Sequence, residues 1–284
     1  MPVSVHLLAI DPQNDFCDLP PGAGPPDGAG AFVAPSLPVP GADSDLRRLA
    51  AFVRSAGAAL TGLTVTLDSH HRLDVAHPGF WSREDGSPMD PFTQITSRDL
   101  KAGAFRPRRE EDADRTLRYV EQLEARGRYV LMVWPVHCEI GSWGHGVHGE
   151  LRAAYNEWEE RTQRSVGKVL KGQNRFTEHY SALLAEVPDP ADPGTQLNEA
   201  LLAELDVADR IVVAGEAGSH CVKATVEDLV AHLPSGRPER IVLLTDCISP
   251  VAGFEGAQAD FFVAMRGLGV RLTDSVTFAA EVHS

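Results

Sequence analysis

Short apolar runs alternate with amphipathic stretches along most of this 284-residue chain, and that alternation limits the fold more than any other feature. Ser4–Ile10, Leu63–Leu67, Tyr129–Val133, Ile211–Ala214 and Ile241–Thr245 read as strands buried on both faces. Asp45–Ser55, Asp114–Ala125, Val147–Arg161, Leu197–Leu205, Ala224–Leu233 and Gly256–Leu268 carry helical spacing, as in Leu46, Leu49, Ala50 and Val53. Strand then helix, repeated, requires crossover connections. The expected fold is therefore α/β: a doubly wound, mostly parallel central sheet with helices on both faces. Ligands of such sheets bind beyond the carboxyl ends of the strands.

Three segments interrupt the rhythm: the Pro/Gly-rich stretch 18–42, the long connection 82–112 and a shorter Pro/Asp-rich one at 186–196. Long loops in a compact domain are usually lids or insertions, so the length is assigned to a single domain, 1–284, with insertions at 18–42 and 82–112. The first insertion, directly after Phe16, is expected to pack near the mouth of a site or at an interface between copies.

The formal charge of −14 excludes nucleic acid and anionic membrane surfaces as expected partners. The basic run Arg106–Arg109 is followed at once by Glu110, Glu111 and Asp112 and reads as a solvated loop. No apolar run approaches the roughly 18 residues of a membrane span. Cys17, Cys138, Cys221 and Cys247 form no CxxC pair, and the start of the chain carries no secretion signal, so reduced thiols in the cytoplasm are expected.

Chemistry-bearing residues collect where strands end. Asp11 follows the first strand, where a carboxylate can serve in acid–base chemistry or cap a turn around Pro12. Asp68 and His70 end the second, and residues two apart in an extended segment point the same way. Both can reach one ion, with His77 close behind and His137 after the next strand. Carboxylate and imidazole donors together suit zinc, iron or manganese. Lys171 lies at a strand end where it could hold a neighbouring thiolate or carboxylate ionised. Cys221 follows a glycine-bearing turn near a helix start, where the helix dipole is expected to lower its pKa. A buried, inert thiol is the alternative. Cys17, Cys138 and Cys247 are read as inert, and His145, His148, His179 and His232 as surface or core histidines.

Asp11-x-x-x-Asp15-Phe16, Asp68-x-His70, Trp134-Pro135-Val136-His137-Cys138, Lys171-Gly172 and Gly215-x-Ala217-x-x-His220-Cys221-Val222 occur in one order over nearly the whole chain. In these motifs the sequence resembles the isochorismatase-like cysteine hydrolases, and among them the nicotinamidases. The Trp-Pro-x-His-Cys element is the most specific, and Phe176–Ala182 also resembles the segment after the family lysine.

The resemblance implies a catalytic triad of Asp11, Lys171 and Cys221. It implies an oxyanion hole from the backbone N–H groups of Ala217 and Cys221, and a cis peptide between Glu216 and Ala217. It further implies one divalent transition metal, zinc foremost with iron or manganese as alternatives, held by Asp68, His70, His137 and His77. Phe16 and Trp134 would flank the substrate ring. The activity implied is hydrolysis of nicotinamide to nicotinate and ammonia through a thioester, a step of NAD salvage, by a homo-oligomer acting on a small amide.

Ser69 between the Asp and His ligands, Gly218-Ser219 before His220, the long segment after Phe16 and Ile140–His148 depart from the family pattern around the pocket. They leave open an N-carbamoyl, maleamate-like or other heteroaryl amide as substrate. Further alternatives are a metallohydrolase that does not need Cys221 and a non-catalytic metal-binding homologue.

Overall fold

A computed structural model describes residues 3–283. The strands are β1 (Val5–Ile10), β2 (Leu60–Asp68), β3 (Trp81–Arg83), β4 (Thr93–Ile95), β5 (Phe105–Pro107), β6 (Leu131–Val133), β7 (Gly167–Lys171), β8 (Arg210–Gly215), β9 (Ile241–Leu244) and β10 (Arg271–Thr273). The helices are α1 (Ala42–Ala56), α2 (Ser97–Ala102), α3 (Ala113–Arg126) and α4 (Gly149–Thr162), then α5 (Glu199–Asp206), α6 (Cys221–His232), α7 (Glu255–Gly267) and α8 (Ser275–Glu281).

Six strands form the central sheet in the order β10-β9-β8-β1-β2-β7. Every pairing in it is parallel. Side chains that alternate along a strand feed two cores. Val5, Leu7 and Ala9 of β1 meet Leu46, Leu49 and Val53 of α1, Leu151 and Trp158 of α4 and Phe278 of α8 on one face. Leu8 and Ile10 meet Leu201 and Leu205 of α5, Val222 and Leu229 of α6 and Phe261 of α7 on the other.

Two expectations change. Tyr129–Val133, read as a strand of the main sheet, is β6, which pairs antiparallel with β4 in a separate two-stranded sheet. The edge strands β7 and β10 were not among the expected strands. β7 alternates exposed Lys168 and Leu170 with partly buried Gly167 and Val169, so its apolar signal is diluted.

The connection 82–112, expected as a long loop, contains β4, α2 and β5. Its Ile95 joins Trp81, Val120, Leu123, Leu131 and Val133 in a third apolar cluster around α3. The basic run is partly tied down, since Arg106 and Pro107 belong to β5 and Arg108 Nε donates to Trp81 O at 2.9 Å.

The 18–42 segment divides. Residues 25–34 are exposed, whereas Leu37 and Val39 are buried in the cluster that holds Phe16, Trp134 and Cys221. Asp15 fastens it: Oδ1 accepts from Ser36 N at 3.0 Å, while Oδ2 accepts from Cys138 N at 2.7 Å. One buried carboxylate thereby links the insertion to the His137 loop, which places the anchored half beside the strand ends.

Candidate active site and metal centre

Asp11, Lys171 and Cys221 arrive from three elements at one point. Asp11 follows β1, Lys171 ends β7, and Cys221 is the first residue of α6, after the turn that leaves β8. The turn depends on Gly215, at φ 118°, where a Cβ would lie 2.0 Å from Ile10 O. Only glycine lets β8 press this closely against β1 while turning.

Lys171 Nζ lies 2.8 Å from Asp11 Oδ2, 3.5 Å from Cys221 Sγ and 3.0 Å from Asp68 Oδ1. Asp11 is fully buried, and Lys171 and Cys221 are 2% and 5% exposed. Thr66 Oγ1 donates to Asp11 Oδ1 at 2.5 Å and accepts from Asp11 N at 3.0 Å. Asp11 Oδ2 is held by the Lys171 ammonium and takes no further hydrogen bond. Asp11 itself sits at φ 40°, a left-handed conformation uncommon outside glycine.

Burial pushes the Asp11 carboxyl above its ordinary range, against the pull of Lys171. Burial also disfavours the Lys171 ammonium, but Asp11, Asp68 and Cys221 outweigh it and hold that group firmly charged. The Cys221 thiol is pushed up by burial, only partly opposed by Lys171. This corrects the expectation of a lowered pKa: desolvation outweighs the dipole of a single helix end, so the resting thiol keeps its proton. Cys17, Cys138 and Cys247 are free, buried and likewise pushed up.

The peptide between Glu216 and Ala217 is cis. Among the described residues, neither the Ala217 nor the Cys221 N–H donates to another backbone group. One donor lies in the turn after β8 and the other at the first residue of α6, the kind of arrangement a site for an oxyanion needs. Phe16 and Trp134 share an apolar cluster with Ala217 and Cys221. The Phe16 ring lies 5.5 Å from that of His137. Trp134 meets His220 edge-on at 5.1 Å and donates through Nε1 to Tyr180 OH at 3.1 Å.

Beside the triad, His70, His77 and His137 each bring one ring nitrogen into a group no more than 4.8 Å across. All three are buried. Asp68 Oδ2 lies 3.0 Å from His70 Nε2 and 3.4 Å from His137 Nε2, so it borders the same space. The Nδ1 atoms lie near oxygens of the surrounding loops: His77 Nδ1 is 3.2 Å from His71 O, His137 Nδ1 is 2.8 Å from Pro135 O and also 3.3 Å from His77 Nε2, and His70 Nδ1 is 3.2 Å from Asp74 Oδ2 without an aligned hydrogen bond. Oxygen acceptors behind the His77 and His137 rings are the kind of outer support that histidine ligands of a metal require. Burial, reinforced by His137 and His70, lowers the His77 pKa to about 2, so that ring is neutral and able to donate its lone pair. The residues present fit a divalent transition ion. His77, one residue out of register with the family spacing, converges with the others.

Several positioning residues were not foreseen. Gln13 clamps Asp68 through both backbone groups, with Nε2 donating to Asp68 O and Oε1 accepting from Asp68 N, each at 2.8 Å. Thr66 lies two residues before Asp68 on the same strand, so the alternation that links Asp68 with His70 also pointed to it. Ser69 Oγ holds His145 Nε2 at 2.9 Å. Asp74 and Gln13 carry no comparable signal, because their roles arise from loop contacts.

No protein-family model matches the chain, and no curated relative matches it. Solved structures do. The Acinetobacter baumanii nicotinamidase/pyrazinamidase superposes with a TM-score of 0.61 at 17% identity, covering 98% of this chain and 99% of that one. The yeast nicotinamidase gives 0.59 at 17% identity, over 95% of this chain and 99% of its own. The chain has the isochorismatase-like fold. A pyrazinamidase of Pyrococcus horikoshii in complex with zinc shares this fold at a TM-score of 0.51 and 15% identity, covering 95% and 98% of the two chains. Across such distances the architecture is common property, and chemistry rests on the side chains above.

Proposed function

We propose that this protein is a cysteine amidohydrolase that converts nicotinamide, or a closely similar heteroaryl amide, to the carboxylate and ammonia. One observation carries the reading: a buried lysine touches both a carboxylate and a thiol at strand ends, beside a three-histidine cluster. Nicotinamidases and pyrazinamidases that share the fold make nicotinamide the first substrate to test.

In this mechanism Asp11 accepts the Cys221 proton as sulfur attacks the amide carbon. Transfer is coupled to attack because the resting thiol is protonated. Lys171 stays charged and balances the negative charge that moves between sulfur and Asp11. The Ala217 and Cys221 N–H groups receive the oxyanion. Asp11 then gives its proton to nitrogen, the C–N bond breaks and ammonia leaves. Water attacks the thioester, its proton passes through Asp11 to sulfur, and the C–S bond breaks. Phe16 and Trp134 sandwich the ring.

Asp68, His70, His77 and His137 would hold the divalent ion, which when bound offers a Lewis acid that orients a ring nitrogen. The test is ammonia release from nicotinamide, pyrazinamide, an N-carbamoyl amine and maleamate, with and without chelator. Turnover of the two heteroaryl amides supports the reading. Turnover confined to the aliphatic substrates overturns the substrate class, and ammonia release by C221A overturns the thiol chemistry.

A further inference from the structure

A cavity of about 400 Å³ opens at the carboxyl end of β7, the edge strand of the sheet, against the start of α5. Leu170, Lys171, His179, Ala182, Asn198 and Ala200 are among its walls. Lys171 is therefore shared between two spaces, since its Nζ rests on Asp11, Asp68 and Cys221. His179 is only 7% exposed, and its Nε2 is buried without a hydrogen-bond partner. Burial, with the nearby Lys171 charge, lowers its pKa to about 3 and keeps the ring neutral. A polar cavity of this size with an imidazole in its wall can take a small protic molecule.

The amidohydrolase chemistry needs such a place, and the inference rests on that reading. Ammonia must leave, and water must arrive, while the acyl group is still bound to Cys221. On the substrate side Phe16 and Trp134 share an apolar cluster with Cys221, and Trp134 and Phe254 each lie within 5.1 Å of the neighbouring His220 ring. We propose that the cavity at the β7 edge is a second site of the enzyme, taking ammonia outward and water inward, with the His179 imidazole as its hydrogen-bonding group. The ammonia has left carbon with the proton from Asp11. The incoming water forms the new C–O bond as the C–S bond breaks, and its proton passes through Asp11 to sulfur.

The test pairs two variants. Ala200 is exposed on α5 at the cavity wall, so A200W narrows the cavity with little risk to folding, while H179L removes the polar group. Rapid mixing with nicotinamide and acid quench reads total ammonia and thioester-bound protein separately. The expected result is an unchanged first-turnover release of ammonia, thioester accumulation and a kcat lowered about tenfold with KM little changed. H179Q, which keeps a polar group in place, is expected to recover part of the rate. Unchanged kcat in both A200W and H179L, or a slower first turnover without thioester, overturns the inference. Unsubstituted protein that releases no ammonia from any amide overturns the amidohydrolase reading itself, and the two failures are thereby told apart.

Discussion

The triad and the histidine cluster lie side by side and share Asp68, yet they are built differently. Asp11 and Lys171 stand at the ends of β1 and β7, and Cys221 begins the helix that follows β8. Their spacing is set by the register of the central sheet. His70, His77 and His137 stand on loops after β2 and β6, and their rings are oriented by His71 O, Pro135 O and Asp74. A position fixed by sheet register outlasts the loss of a neighbour, whereas a ring aimed by one loop contact depends on it. The triad is thus a property of the architecture, and the histidine cluster a property of local sequence.

The largest effects are expected on the sheet-borne half. C221A is expected to lower kcat/KM at least about a thousandfold with the melting temperature nearly unchanged, since the thiol supplies the reacting electrons but little packing. K171M is expected to match that loss and also to destabilise, by about 3–5 kcal/mol, because the Asp11 and Asp68 carboxylates are left buried without their cation. Thermal unfolding of both variants beside the activity assay separates the two roles. A K171M protein as stable as C221A would mean that the lysine does not hold the two carboxylates together.

On the loop-borne half the expected effect is smaller and of another kind. H137A is expected to weaken zinc affinity by more than about 100-fold, since losing only the support behind a ligand costs about 10- to 100-fold. The rate at which iodoacetamide alkylates Cys221 is expected to stay near that of the unsubstituted protein, because the triad does not lean on His137. Zinc titration by competition with a chromogenic chelator, run beside alkylation, checks both. Alkylation changing as steeply as zinc affinity would show the two halves to be one unit.

The same contrast explains what was legible in the sequence. Strand ends are readable from apolar runs, so Asp11, Asp68 and Cys221 stand out from the pattern, whereas Lys171 rests on the short apolar turn Val169-Leu170 and on its motif. His137 was found through its motif, although β6, the strand that carries it, lies outside the main sheet and pairs with β4. The protonated state of Cys221 was not legible, because burial is a tertiary property and local helix position gave the opposite sign. Asp15 belongs to the first motif, but its link between Ser36 N and Cys138 N joins segments about a hundred residues apart. No local pattern reports such a contact. Thr66 was readable, since alternation along β2 places it on the face of Asp68 and His70.

That residue offers the finest cut between the two halves. Thr66 Oγ1 donates to Asp11 Oδ1 at 2.5 Å, and this bond favours the ionised carboxylate while burial opposes it. T66V keeps the shape and removes the donor, so the Asp11 pKa is expected to rise further. Asp11 must be ionised to take the Cys221 proton, and activity is lost as pH falls through that pKa. The acid limb of the kcat/KM profile is therefore expected above the ordinary carboxylate range, and T66V is expected to move it higher still. The plateau at higher pH is expected to change by no more than about threefold, because every reacting group remains. Zinc affinity at that pH is expected to be unchanged, since Thr66 touches none of the histidines. An acid limb that stays in place, or moves downward, would show that Thr66 does not tune the base.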